Sequence, residues 1–324
     1  MERNDRDDTD AAVVRQECFD CSGPVDIRAA LDGGQLDIAL GEGGGDTVDT
    51  RYGAEDAEDT SGSGEVVVQV RADPTNQPLL NVGITNLLSW LGGQAGAAPL
   101  KQLTAEAVRQ TVIDFTEQRL TVRSPREFPL RTVPLSITIS APAGASIIAR
   151  SGSADIAVTG VATKLDAATG SGEVRAQHCT GAAEVRTGSG DVRLGAVLGR
   201  LRVRTGSGVV DVTSLEGADG AGTVETGSGD VRLGAVNHDV TARSGTGDLT
   251  VVDACAGGLE LTTGSGQLRI GIHQGVLAEL DVSSGFGQAR SDLPVGGPPA
   301  EGNATLRVRA RTGSGDALIT AAPC

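Results

Sequence analysis

From residue 147 onward the chain repeats one alternation of apolar and polar side chains around a short glycine phrase. The phrase reads TGSGEVRA at 169, TGSGDVRL at 187, TGSGVVDV at 205 and TGSGDVRL at 226. It returns as SGTGDLTV at 244, TGSGQLRI at 263, SGFGQARS at 284 and TGSGDALI at 312, with a degenerate copy, SGSADIAV, at 151. Counting the first Thr or Ser as position zero, position five is Ile156, Val174, Val192, Val210, Val231, Leu249, Leu268, Ala289 and Ala317. Position seven is Val158, Ala176, Leu194, Val212, Leu233, Val251, Ile270, Ser291 and Ile319, and position six between them is mostly charged. Upstream, position minus two runs from Ala149 to Ala310 and position minus four from Ile147 to Val308, nearly all aliphatic. A period of two with one apolar face predicts half-buried strands. Each repeat therefore holds two strands, and the G-S-G phrase is the corner between them, where glycine lets the chain turn.

Successive phrases start 18, 18, 18, 21, 18, 19, 21 and 28 residues apart. Near-constant spacing lets equivalent positions stack in register, so residues 141–324 are predicted to form an all-β, right-handed parallel β-solenoid of about 18 residues per coil. The longer gaps predict loops at Leu215–Gly220 and Leu293–Asn303.

Residues 24–140 are less regular. Strands are expected at Pro24–Leu31, Gln35–Leu40, Glu65–Arg71, Thr111–Phe115, Arg119–Arg123 and Leu135–Ser140, with a long loop over Gly41–Gly64. A short helical segment is expected near residues 84–110, as Ile84–Leu91 and Leu100–Gln110. This region is expected to cap one end of the solenoid, whose strand edges would otherwise be unpaired. Residues 1–23 are expected to be disordered or loosely ordered.

Composition fits a thin core: aromatic residues are 2% of the chain, whereas Gly accounts for 47 of 324 residues. No apolar run reaches the roughly 20 residues of a membrane-spanning helix, and the charged start MERNDRDDTD lacks a secretory leader, so a cytoplasmic protein is expected. The net charge of −15 is uneven. Residues 1–73 carry 19 acidic and 6 basic side chains, a net of −13, which leaves −2 for the remainder. Neither part has the basic stripe that a phosphate backbone demands, so nucleic acid is excluded as a partner.

The runs TGSGDVRLG, GIHQGVLAELDVSSGFGQARSDL and VRARTGSGDALI resemble a bacterial domain family of unknown function with β-strand repeats, labelled "putative adhesin", and its actinobacterial members in particular. GPVDIRAALDGGQLDIAL resembles the start of those members, and PLSITISAPAGASI their entry into the repeats. The likeness covers residues 24–40 and 64–324. It implies a β-solenoid and a scaffold or adhesin-like role, and it brings no catalytic residues.

The residues themselves offer several candidate sites. A calcium β-roll recurs every nine residues; here the acid recurs every eighteen and is lost at Val209, Gln267 and Gln288. Asp155, Glu173, Asp191, Asp230, Asp248 and Asp316 form a column beside an Arg column, read as a charge-balanced solvated face or, more sharply, as a surface for a charged polymer. Cys18 and Cys21 form a lone C-x-x-C without the second pair that a zinc site needs. Cys179, Cys255 and Cys324 are scattered, and His178, His238 and His273 follow no ligand spacing. A polysaccharide-active β-helix enzyme would need acids clustered in one cleft with aromatic platforms. Trp90 with Leu87, Leu88 and Leu91 makes an apolar stripe. No catalytic, cofactor-binding or metal-ligating residue is therefore assigned, and no cofactor. The expected function is a non-enzymatic scaffold or adhesin-like binding module whose partner is a protein or an envelope polymer. Its alternatives are a polysaccharide-active enzyme and a self-assembling structural protein, with self-association through the solenoid ends or the Trp90 stripe.

Overall fold

The computed structural model describes residues 14–41, 63–73, 97–217, 221–293 and 304–323. In chain order its strands begin with β1 (Val14–Ser22), β2 (Asp26–Leu31), β3 (Gly34–Gly41), β4 (Ser63–Ala72), β5 (Val112–Thr116), β6 (Arg119–Arg123), β7 (Leu135–Pro142), β8 (Ala145–Ser151) and β9 (Asp155–Thr169). The repeat strands follow as β10 (Val174–Cys179), β11 (Ala183–Thr187), β12 (Val192–Val197), β13 (Leu201–Thr205), β14 (Val210–Leu215), β15 (Gly222–Thr226), β16 (Val231–Val236), β17 (Val240–Ser244) and β18 (Leu249–Ala254). The last are β19 (Gly257–Ser265), β20 (Leu268–Ile272), β21 (Ala278–Phe286), β22 (Ala289–Ser291), β23 (Leu306–Ser314) and β24 (Ala317–Ala321). Among the described residues one α-helix, α1 (Ala97–Gln110), precedes β5. It covers the second of the two expected helices; the first, with the Trp90 stripe, and most of the Gly41–Gly64 loop lie outside the described residues.

Two parallel stacks make up the body. One runs β7–β3–β9–β10–β12–β14–β16–β18–β20–β24–β22. The other runs β6–β2–β8–β9–β11–β13–β15–β17–β19–β23–β21. One strand from each stack makes a coil, and β9 is long enough to round a corner and serve both. The predicted parallel β-solenoid is the observed fold. All four predicted apolar columns are buried in every coil except the one formed by β21 and β22. A fifth inward column, Cys179, Val197, Leu215, Val236, Ala254 and Ile272, falls at position ten of the repeat, or nine in the last copy, and is additional to the four predicted.

Chain order and stacking order differ at both ends. β2 and β3 lie between the β6/β7 coil and the β8/β9 coil, so residues 26–41 form a true coil. At the other end the last coil, β23/β24, is slotted between β19/β20 and β21/β22. The first and last coils of the stack are therefore not the first and last in sequence. Residues 14–22, expected to be loose, are strand β1, because β4 offers it a nine-residue antiparallel edge. Beyond β7 and β6 the stacks continue antiparallel as β4 then β1, and as β5. Phe19 of β1 and Phe115 of β5 stack across them, ring centroids 5.2 Å apart. Ala107 and Val108 of α1 are buried beside them, and Arg15 donates to the Arg109 carbonyl oxygen at the end of the helix. Antiparallel β4, β1 and β5, with α1, thus lie beyond the parallel coils as a cap whose own edge strands are β1 and β5.

The corners are tied by hydroxyls. Thr187, Thr205 and Thr226 are buried, and each Oγ1 accepts the N–H of the second corner glycine, Gly190, Gly208 and Gly229, at 2.9, 3.0 and 3.0 Å. Hydroxyls at the same position donate to a carbonyl oxygen of the adjacent coil: Thr205 to Gly190, Ser244 to Gly229 and Thr263 to Gly247, at 3.5, 3.1 and 2.8 Å. Replacing Thr205 with valine keeps the shape but orphans the buried Gly208 N–H. A loss of about 1–3 kcal/mol is expected, read as a lower denaturant midpoint, with Thr205→Ser close to wild type. Equal midpoints for the valine and serine variants would remove the hydroxyl from the account.

Candidate functional site

The acidic column does structural work. Asp155 accepts the Glu173 N–H at 2.7 Å, Asp191 that of Val209 at 2.9 Å, Asp230 that of Asp248 at 2.8 Å and Asp248 that of Gln267 at 2.7 Å. Each aspartate thus closes a backbone donor of the neighbouring coil at the corner, where the strand ladder has ended. Burial raises the Asp155 carboxyl above the usual range, with Arg175 opposing the shift and Asp73 adding to it.

Beside that column, charges pair off along the stacks. Arg175 and Arg193 both meet Glu173, and Arg150–Asp166, Arg204–Glu225 and Arg243–Glu260 pair at 2.6, 2.8 and 3.1 Å. Such half-exposed pairs contribute only about 0–1 kcal/mol each. A groove of about 390 Å³ near the far end has mixed walls, with Asp239, Glu260, Glu279 and Asp281 facing Arg307 and Arg309. Arg307 and Arg309 already pair with Glu279 and Asp281 at 3.3 and 3.4 Å. Glu260 pairs with Arg243 and Asp239 accepts the Gly258 N–H, so each charge in the groove already has a partner within the chain.

Strand geometry separates the C-x-x-C pair. Cys18 and Cys21 lie three apart on β1, hence on opposite faces: Cys18 is exposed and Cys21 buried. The two thiols cannot converge on one ion or form one disulfide without remaking the strand. Cys179 belongs to the fifth core column, and burial pushes its thiol up.

The histidines divide three ways. His178 is exposed on β10, and His238 is buried with Nδ1 3.2 Å from the Asp239 carbonyl oxygen. His273 is brought to a carboxylate, its Nδ1 lying 3.0 Å from both oxygens of Asp253. The Cys255 thiol donates to the same carboxylate at 3.7 Å, and burial, then the charge and hydrogen bond of Asp253, raise its pKa. Cys255 and His273 are 18 residues apart, one coil, and that spacing was the signal in the sequence. Asp253 could not be placed with them, because it sits at a break in register between β18 and β20.

At the end opposite the cap the outermost strands have a free edge among the described residues. Among the described residues β21 pairs only with β23, and β22 only with β24. Ala278, Leu280 and Val282, which face the core, are only partly buried, and Leu277 and Phe286 are 59% and 87% exposed. Unpaired N–H and C=O groups beside an uncovered apolar seam define a sheet edge ready to pair.

The family model described as Toastrack DUF4097 matches residues 129–320, more than half of the chain. The chain belongs to the Toastrack DUF4097 family. The Toastrack match takes in both the open end and the Asp253–Cys255–His273 group. It leaves out α1 and β1 to β6, so the cap and the intercalated β2/β3 coil stand outside the matched span. Three solved structures are similar to this Toastrack chain. One, titled as a "putative adhesin" from Bacteroides fragilis NCTC 9343, is 12% identical with a TM-score of 0.39, covering 94% of this chain and 97% of that one. Another of the same title, from Parabacteroides distasonis ATCC 8503, is 11% identical with a TM-score of 0.41 and the same coverage. A "putative cell adhesion protein" from Clostridium sporogenes ATCC 15579 is 8% identical with a TM-score of 0.18, covering 95% and 99%. No curated protein matches the chain. No helix among the described residues is long and apolar enough to cross a membrane.

Proposed function

We propose that this Toastrack chain is a non-enzymatic, adhesin-like binding module that receives a strand of a partner protein at its open end. The observation that carries the reading is the free edge of β21 and β22 over the half-buried Ala278, Leu280 and Val282. A free strand edge offers alternating N–H and C=O groups, which pair with a polypeptide strand. A polysaccharide has no such backbone, so an envelope glycan is the weaker candidate. Size argues against a second copy of this chain. A nine-residue strand over a core one sheet-spacing thick presents about 30 Å by 10 Å, roughly 300 Å². A specific interface commonly buries about 800 Å² per partner, and an extended segment can reach that area by continuing along the solenoid wall.

The test is affinity capture from the native host with wild type, Leu280→Lys and the charge variant R175A/R193A side by side. Lysine at 280 places a charge in the seam, so proteins held by strand addition should be lost by L280K and kept by R175A/R193A. Capture that survives L280K overturns the reading. So does a wild-type dimer in light scattering that L280K abolishes, since the occupant would then be a second copy.

A further inference from the structure

We propose that Asp253, Cys255 and His273 form a three-ligand site for a divalent metal ion of zinc type, with one coordination position left open. One ligand atom from each residue lies within 4.8 Å of the other two. Around a tetrahedral zinc, ligands at about 2.0–2.3 Å stand roughly 3.3–3.8 Å from one another. His273 Nδ1 and Cys255 Sγ lie 3.0 and 3.7 Å from the same oxygen, Asp253 Oδ2, so sub-ångström adjustments bring those contacts to that spacing. The donor set is one sulfur, one imidazole nitrogen and one carboxylate oxygen. That mixture suits zinc and its neighbours, whereas calcium or magnesium would want several oxygens.

The backbone holds the trio in place. The Cys255 N–H donates to the Val236 carbonyl oxygen at 2.8 Å, and the His273 N–H to that of Ala254 at 3.0 Å, so both residues sit at one corner of consecutive coils. Along that corner the preceding coils carry Thr180, Leu198, Glu216 and Asn237, whose backbone N–H groups follow the same stacking for 180, 198, 216 and 237. Among the described coils, only those of β18 and β20 bring a thiol and an imidazole into adjacent layers of this corner. Asp253 arrives by a separate device. The register slips between Val251/Ile270 and Ala254/Ile272, giving β18 one more residue than β20 there. A bulge of this kind re-aims a side chain and is common beside functional sites. On binding, the metal takes the place of the Cys255 thiol proton, which leaves to solvent, and the thiolate becomes the ligand. The open position would hold water or a donor from a bound partner.

The experiment is a Co²⁺ titration of the full chain under reducing conditions, followed by absorption, with Zn²⁺ then added to displace the cobalt. One equivalent should produce a thiolate-to-cobalt charge-transfer band with tetrahedral ligand-field bands, and Zn²⁺ should abolish both. Cys255→Ser should remove the charge-transfer band, while Cys18→Ser and Cys21→Ser leave it intact. Changes in a zinc ligand's surroundings already cost about 10–100-fold in affinity, so His273→Ala should weaken Zn²⁺ by at least that much in chelator competition. His273 is half exposed, so its loss does not endanger the fold. Absence of the band at one equivalent overturns the site, and so does a band that persists in C255S. Zn²⁺ affinity unchanged in H273A overturns it equally.

Discussion

Gly190→Ala should cost the protein more than about 3 kcal/mol, far above the order of 1 kcal/mol typical of a point substitution. A methyl group at position 190 would lie 1.8 Å from the Gly172 carbonyl oxygen, 2.6 Å from its carbon and 3.0 Å from Thr187 Oγ1. The first two atoms are backbone of the neighbouring coil, held there by the strand ladder at about 4.8 Å. The coils would have to splay, breaking the Thr187–Gly190 hydrogen bond and loosening the pairing of β10 with β12. Gly208 faces the Gly190 carbonyl oxygen at 1.9 Å in the same way, so the effect should recur up the corner. The control is Gly41→Ala, where an added methyl meets nothing within 4 Å. Denaturant unfolding of the two variants side by side decides the matter, and a G190A midpoint matching G41A would end the stacking explanation.

Deleting residues 304–324 should do more damage than the loss of one terminal coil. In a simple solenoid each coil touches only its neighbours, and removing the last one costs a single interface. Here β23 and β24 pair on both sides, with β19 and β20 below and with β21 and β22 above. Their removal strips away Leu306, Val308, Ala310, Ala317 and Ile319, all buried, and strands the β21/β22 coil. At about 1.5–3 kcal/mol for each large aliphatic side chain buried, the loss from Leu306, Val308 and Ile319 alone reaches several kcal/mol. Limited proteolysis should cut the truncated protein within residues 276–303, and hydrogen exchange in β19 and β20 should accelerate. Retained protection of residues 278–291 after the deletion would show that this coil has another support.

Much of this architecture was written in the alternation. Four apolar columns, the corners and the strands β2 to β7 follow from period two and from glycine spacing. The reason for the corner glycines did not. Turning was the expected cause, yet only Gly315 among them has a left-handed φ; the others are required because backbone passes over backbone. The coil exchange was hidden because every repeat carries the same pattern, so sequence order looked like stacking order. One clue existed: Ser291 is the only polar residue in its column, and its coil is the one left outermost. The Asp253 group was harder still. Counting eighteen finds His273 from Cys255, but a slip in register is a property of two strands together.

The intercalated β2/β3 coil has a consequence for how the chain comes into being. Residues 26–41 leave the ribosome about a hundred residues before β8 and β9, between which and the β6/β7 coil they must fit. At translation speeds of about 5–20 residues per second, these apolar strands wait roughly 5–20 s without their partners. A waiting strand is an invitation to aggregation. Residues 1–73 carry a net charge of −13, so nascent chains repel one another throughout that interval.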